Sequence, residues 1–206
     1  MPRRIKYALS LREQLLFLTM IASLILGLPL PPVTCYVILA ILAAPALIKA
    51  GVNPMASHLF VFFFGALGNI SPPVAPTSFA AAGIAETDPV KTTNLAFLYS
   101  LPAFLVPYLY VYANELLLMG SLPMILLRVV SSFVGLSCMA VIFHGYLFRP
   151  LTWTERILFL LGGLALVYPY YLSNLGGYIL IGILVSRQVT TLRAGKTISL
   201  AGGKQK

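Results

Sequence analysis

The residues best placed to do chemistry in this sequence are few, and they sit beside prolines. Gly68-Asn69-Ile70-Ser71-Pro72-Pro73-Val74-Ala75-Pro76 interrupts a Phe- and Leu-rich run that starts at His58, and Thr77 to Ala85 resumes it with small residues. A second interruption, Gly27-Leu28-Pro29-Leu30-Pro31-Pro32, lies some forty residues earlier in the same stretch. Backbone unwound at membrane depth bares N–H and C=O groups that hydrocarbon cannot satisfy, so it persists only inside protein or beside a polar cavity. Freed carbonyls there bind cations, and half-helix N-termini turn positive dipole ends toward anions. This is the chemistry of a carrier. A lone proline would merely kink a packed helix; Ser-Pro-Pro flanked by Gly-Asn and matched by a second proline cluster asks for more.

The other polar residues have plainer readings. His58 opens a helix and reads as an interfacial side chain. Cys35 and Cys138 lie in apolar runs without metal or disulfide spacing and read as small packing residues. Glu86, Asp88 and Lys91 mark a membrane surface, with Thr87 or Asp88 capping a helix from about Pro89. Arg128, one turn into its helix, can snorkel. Tyr99, Tyr108, Tyr110, Tyr112, Tyr168, Tyr170 and Tyr171 are spaced as an aromatic belt. There is no HExxH, GxSxG or P-loop, and no acidic pair to hold magnesium, so an enzyme is not expected.

These residues must be positioned by membrane helices. The 206 residues are 59% hydrophobic and 9% charged, with mean hydropathy +0.93. Between Gln14 and Ala85 the one charged side chain is Lys49. A soluble domain carries about a quarter charged residues, so the chain is expected to be an all-α integral membrane protein, polytopic, without a separate soluble domain. The net charge of +9 gathers at the ends, in Arg3, Arg4, Lys6 and Arg12 and in Arg187, Arg193, Lys196, Lys204 and Lys206. Such flanks anchor helices to the lipid bilayer and give no nucleic-acid signal. No small-x-small cleavage site follows Leu15–Leu28, so that segment is expected to stay in the protein.

A crossing needs about 20 residues. Residues 1–13 form a basic flank. Segment 14–49 turns at its proline-rich tip, as a re-entrant hairpin or as one helix broken in the bilayer. Residues 54–85 form a discontinuous helix. Stretches 92–119, kinked by Pro102 and Pro107, and 124–148, led in by Pro123, are long enough to cross uninterrupted. Residues 149–206 form a helical extension with a basic tail, a helical pair over 155–186 turning at Ser173-Asn174-Gly176-Gly177.

The stretch Ala56-Ser-His-Leu-Phe-Val-Phe-Phe-Phe64, with Ile70 to Ala75 and Ala80 to Ala85, resembles the large permease of the TRAP (tripartite ATP-independent periplasmic) transporters. The similarity is to the fused type paired with TAXI-class receptors, which shows "AAHLFVFYF", "ITPPVA" and "AAAGIA" segments. Pro107 to Gly120 and Gly27 to Ala40 extend it collinearly over about 15–150. Pro32 and Val33 stand where the family has two threonines, with Thr34 beside them, and Ser71 stands for the usual threonine and keeps the hydroxyl.

The resemblance implies half of an elevator-type transport domain in a secondary transporter of the bacterial inner membrane, multi-pass and usually sodium-driven. It would import small organic acids delivered by a periplasmic TAXI-type binding protein, with no cofactor beyond the coupling sodium ion. Gly68, Asn69, Ser71, Pro72 and Pro73 would contribute to a sodium or substrate site, with sodium at Gly68, Asn69 and Ser71, and Thr34 and Thr77 as additions. The remaining permease half and the small membrane subunit would be separate partners. The rival reading is a non-transporting membrane scaffold or a truncated permease remnant.

Overall fold

The structure, a computed structural model, describes the backbone of residues 3–168 and 170–202 and the side chains of 11–168, 170 and 172–190. The basic side chains of Arg3, Arg4, Lys6, Arg193, Lys196, Lys204 and Lys206, and that of Tyr171, fall outside the described residues. Ten helices are described: α1 (Arg3–Gly27), α2 (Pro32–Leu42), α3 (Ala44–Lys49), α4 (Pro54–Gly68), α5 (Pro76–Ile84), α6 (Pro89–Ser100), α7 (Val106–Tyr112), α8 (Leu122–His144), α9 (Trp153–Val167) and α10 (Tyr171–Gly202). No strand occurs among the described residues. This is an all-α membrane protein.

Prolines set much of the segmentation. α2, α4, α5 and α6 each begin on one, where the missing N–H is no loss and φ is already helical. Asn53 caps α4, its side-chain oxygen accepting from the Met55 N–H at 2.9 Å. Asp88 caps α6, accepting from the Lys91 N–H at 2.8 Å, as the sequence led one to expect.

The 92–119 stretch is not one helix. α6 passes through a tight 3-10 segment, Leu101–Leu105, into α7, which ends at Tyr112. Pro102 and Pro107 each remove a helical donor there. Together Pro89–Tyr112 still forms 24 residues apolar enough to cross a membrane, as do the 23 of Leu122–His144. α8 stops at His144 because Gly145 takes a left-handed φ of +67°.

The chain forms two compact units, Met1–Ile125 and Leu126–Lys206. The first packs Leu16, Cys35, Leu39, Phe60, Phe64 and Val111 into one core. α1 and α4 touch through glycines: a Cβ on Gly68 would lie 2.7 Å from the Leu24 carbonyl oxygen, and one on Gly27 would overlap the Gly65 carbonyl. Tyr108 turns inward onto Phe60 and Phe64, and Tyr110 packs on Phe63, so these two leave the expected belt.

In the second unit the expected turn at 173–177 is absent. α9 ends at Val167 and α10 begins at Tyr171, so Ser173, Asn174, Gly176 and Gly177 lie within α10. Gly177 serves packing instead: a Cβ there would meet Leu166 at 2.9 Å and the Gly162 carbonyl oxygen at 3.1 Å. Arg128 does not snorkel; only 7% of it is exposed. With the Asn174 amide turned to satisfy its neighbours, its oxygen accepts from Arg128 Nη1 at 3.1 Å. Both cysteines are free and buried, as packing residues should be.

Candidate functional site

The two interruptions meet. Asn69 is the residue on which α4 ends, and only 7% of it is exposed. Its amide Nδ2 donates to the Gly27 carbonyl at 2.8 Å and to the Leu30 carbonyl at 2.9 Å. Those carbonyls are the ones that the proline-rich tip leaves without a helical partner, because α1 stops at Gly27 and prolines follow at 29, 31 and 32. The main-chain oxygen of Asn69 in turn accepts the Thr77 N–H at 3.3 Å, which closes the break onto α5.

Between α4 and α5 the backbone is self-supporting. The Ile70 N–H donates to Leu67 at 3.2 Å and the Ser71 N–H to Gly68 at 3.1 Å. The Ser71 hydroxyl donates to the Leu67 carbonyl at 2.8 Å. The Pro72–Pro73 bond is cis, and Ala75 adopts a left-handed φ of 41° ahead of α5. Neither α2 nor α5 has a side-chain cap at its N-terminus. Neither positive helix end is therefore neutralised by a side chain, and at the break the Asn69 carbonyl meets only the Thr77 N–H of α5.

Of the residues singled out from the sequence, Gly68, Asn69 and Ser71 are drawn together in this turn. Gly68 contributes less by its carbonyl than by its missing Cβ, which lets α4 touch α1. Pro72, Pro73, Thr34 and Thr77 are exposed, the two threonines in the first turns of α2 and α5. Thr77 joins the site through its backbone N–H; Thr34 stands on the α2 end without a bond to the break among the described contacts.

The sequence reading missed the acceptors, Gly27 and Leu30, and the packing glycine Gly65. It also missed Ser78, 3% exposed in the first turn of α5 with a hydroxyl that finds no hydrogen-bond partner. The Thr-Ser pair after Pro76 was the available signal for it. Beside the break lies a cavity of about 290 Å³, lined by Ile21, Leu24, Ile25 and Leu28 of the first arm and its tip, with Ser71, Pro72, Phe97 and Phe104. Among the described residues no cluster of His, Cys, Asp or Glu could hold a metal ion. Any cation here would rest on neutral oxygens: each tip carbonyl accepts one bond from Asn69 and keeps a second lone pair.

His58 lies away from this turn, its Nδ1 3.3 Å from the Tyr36 hydroxyl, and pins α4 to α2. The model of the DctM component of the tripartite ATP-independent periplasmic transporters matches residues 5–125, which include both interruptions and every residue named in the site. No curated protein and no solved structure shows significant similarity to the chain. With more than half of its length matched, and with both interruptions of the matched part joined through Asn69, the chain belongs to the DctM family of TRAP transporter permeases, a membrane transporter component and not an enzyme.

Proposed function

We propose that this chain supplies the hairpin-and-broken-helix half of a TRAP permease site, which couples sodium entry to import of a small organic acid. One observation carries the reading: the Asn69 side chain joins the tip of the hairpin to the break in the helix through the Gly27 and Leu30 carbonyls. Discontinuous helices whose ends converge are how secondary transporters present carbonyls to a cation and positive helix ends to an anion. Sodium is a hard cation that favours oxygen, and the turn offers the Ser71 hydroxyl and the carbonyls of Gly68, Asn69, Gly27 and Leu30. The carboxylate of the cargo would face the uncapped ends of α2 and α5, near Thr34 and Thr77, while Pro72 and Pro73 hold the unwound shape.

The cargo would come from a periplasmic binding protein of the TAXI class. The other permease half and the small membrane subunit would close the site in the bacterial inner membrane, with several crossings. Uptake by the intact complex in proteoliposomes, driven by a sodium gradient, tests this. Ser71→Ala should raise the sodium needed for half-maximal uptake about tenfold, the equivalent of ~1.4 kcal/mol. Ser71→Thr keeps the hydroxyl and should stay near the parent. An unchanged sodium dependence in Ser71→Ala, or uptake indifferent to sodium, would overturn the ion-ligand assignment.

A further inference from the structure

The second unit holds a cluster that transport leaves unused. After α8 the chain folds back on itself: the Leu151 N–H donates to the Gly145 carbonyl at 2.8 Å, and the Leu147 N–H to the Arg149 carbonyl at 3.3 Å. Leu151 is buried and plugs this loop into the unit's core. Gly145 has no Cβ, and the space one would occupy is filled by the Arg156 guanidinium. At the centre is Glu155, 3% exposed, which accepts from the Thr152 N–H at 3.0 Å, from the Thr152 hydroxyl at 3.1 Å and from Arg149. The Gln188 amide reaches the same carboxylate at 3.4 Å, and Arg187 attracts it from α10.

Residues 145–188 thus carry Arg149, Arg156 and Arg187 against the one carboxylate of Glu155, a formal excess of two positive charges. Around it the rings point outward: Trp153 is 78% exposed, Tyr146 56% and Phe148 46%. Arg156 stands over the Trp153 ring, 5.5 Å from its centroid. The loop starts one residue beyond a helix apolar enough to cross a membrane, so it meets the headgroup zone. Exposed aromatic rings favour that zone, and excess positive charge there attracts anionic lipid. A soluble anion would need the guanidinium groups but not the rings.

We propose that the loop between α8 and α9 binds the headgroup of an anionic phospholipid, with Arg156 and Arg187 meeting the phosphate and Tyr146, Phe148 and Trp153 entering the acyl boundary. Native mass spectrometry of the full chain in detergent, titrated with phosphatidylglycerol or with phosphatidylcholine of the same acyl chains, tests it. The parent should retain phosphatidylglycerol preferentially. Arg187→Gln, at an exposed position, should weaken that retention about fivefold, as should Arg156→Gln. Trp153→Ala, also exposed, should weaken retention without altering the thermal midpoint. Inorganic phosphate should not compete. Equal retention of the two lipids by the parent, an unchanged preference in the Arg156→Gln/Arg187→Gln double variant, or full competition by inorganic phosphate would each overturn the proposal.

Discussion

At the scale of single residues, Asn69 has a double duty: its one amide satisfies two backbone carbonyls that proline chemistry has stranded. Asn69→Ala leaves the buried Gly27 carbonyl and the half-buried Leu30 carbonyl without this donor, and losing a buried partner costs about 1–3 kcal/mol. The expected outcome is a thermal midpoint several degrees below the parent in detergent, together with loss of uptake in the complex. Asn69→Asp should be worse than Asn69→Ala, because it sets a carboxylate against two carbonyl oxygens, and a melting series of the three proteins reads the order directly.

Glu155 makes a second residue-scale prediction, through pH. Burial by itself would raise its pKa, but the Thr152 N–H and hydroxyl and the charges of Arg149 and Arg187 outweigh it and hold the carboxyl below its ordinary value of 4.5. A carboxyl depressed by folding stabilises the native state above that ordinary range and loses the contribution as pH falls toward its native pKa. The parent's margin in thermal midpoint over Glu155→Gln should therefore be constant from pH 7 to about 5 and shrink below the ordinary value. A margin that stays level down to pH 4 would contradict the ion-pair account.

At the scale of elements, glycines decide how closely α1 and α4 approach. A Cβ on Gly68 would sit 2.7 Å from the Leu24 carbonyl oxygen and from the Gly27 carbonyl carbon, so the two backbones are in direct contact. Gly68→Ala must part the helices that carry the tip and the break, and overpacking of this kind costs about 1–3 kcal/mol. Gly83, in α5, is the opposite case, since a Cβ there would meet nothing within 4 Å. Gly83→Ala should therefore be neutral or stabilise by up to about 1 kcal/mol, because alanine is the better helix former. Thermal midpoints of the pair separate contact from propensity.

At the scale of the whole molecule, the hairpin predicts a topology. α1 has 25 residues, about 38 Å of helix at 1.5 Å per residue, and α2 and α3 return from its tip. The N-terminal end and Lys49 then share one side of the membrane, the outside by our reading, against the bias of the basic flank. A cysteine at position 10, in place of Ser10, with Cys35 and Cys138 replaced, should react with an impermeant thiol reagent in intact cells expressing the complex. Reaction only after lysis would restore the spanning form of 14–49.

The sequence by itself determined the medium and the breaks. A run with Lys49 as its one charge belongs in hydrocarbon, and the clusters Pro29-Leu30-Pro31-Pro32 and Pro72-Pro73 end the helix before them, Pro32 itself opening the next, because a missing N–H is a local fact that no tertiary context restores. Asp88 was legible as a cap for the same reason, since it reaches an N–H only three residues on. What only the tertiary structure decided was which groups those breaks face. Asn69 is bonded to carbonyls 42 and 39 residues away, and a carbonyl acceptor carries no residue identity for a pattern to find. Glycines were ambiguous in the same way: Gly176-Gly177 resembles a turn in one dimension, yet Gly177 lies within α10 and seats it against α9. Conformational freedom and absence of a Cβ are one property of glycine, and only the neighbour packed against it decides which of the two is in use.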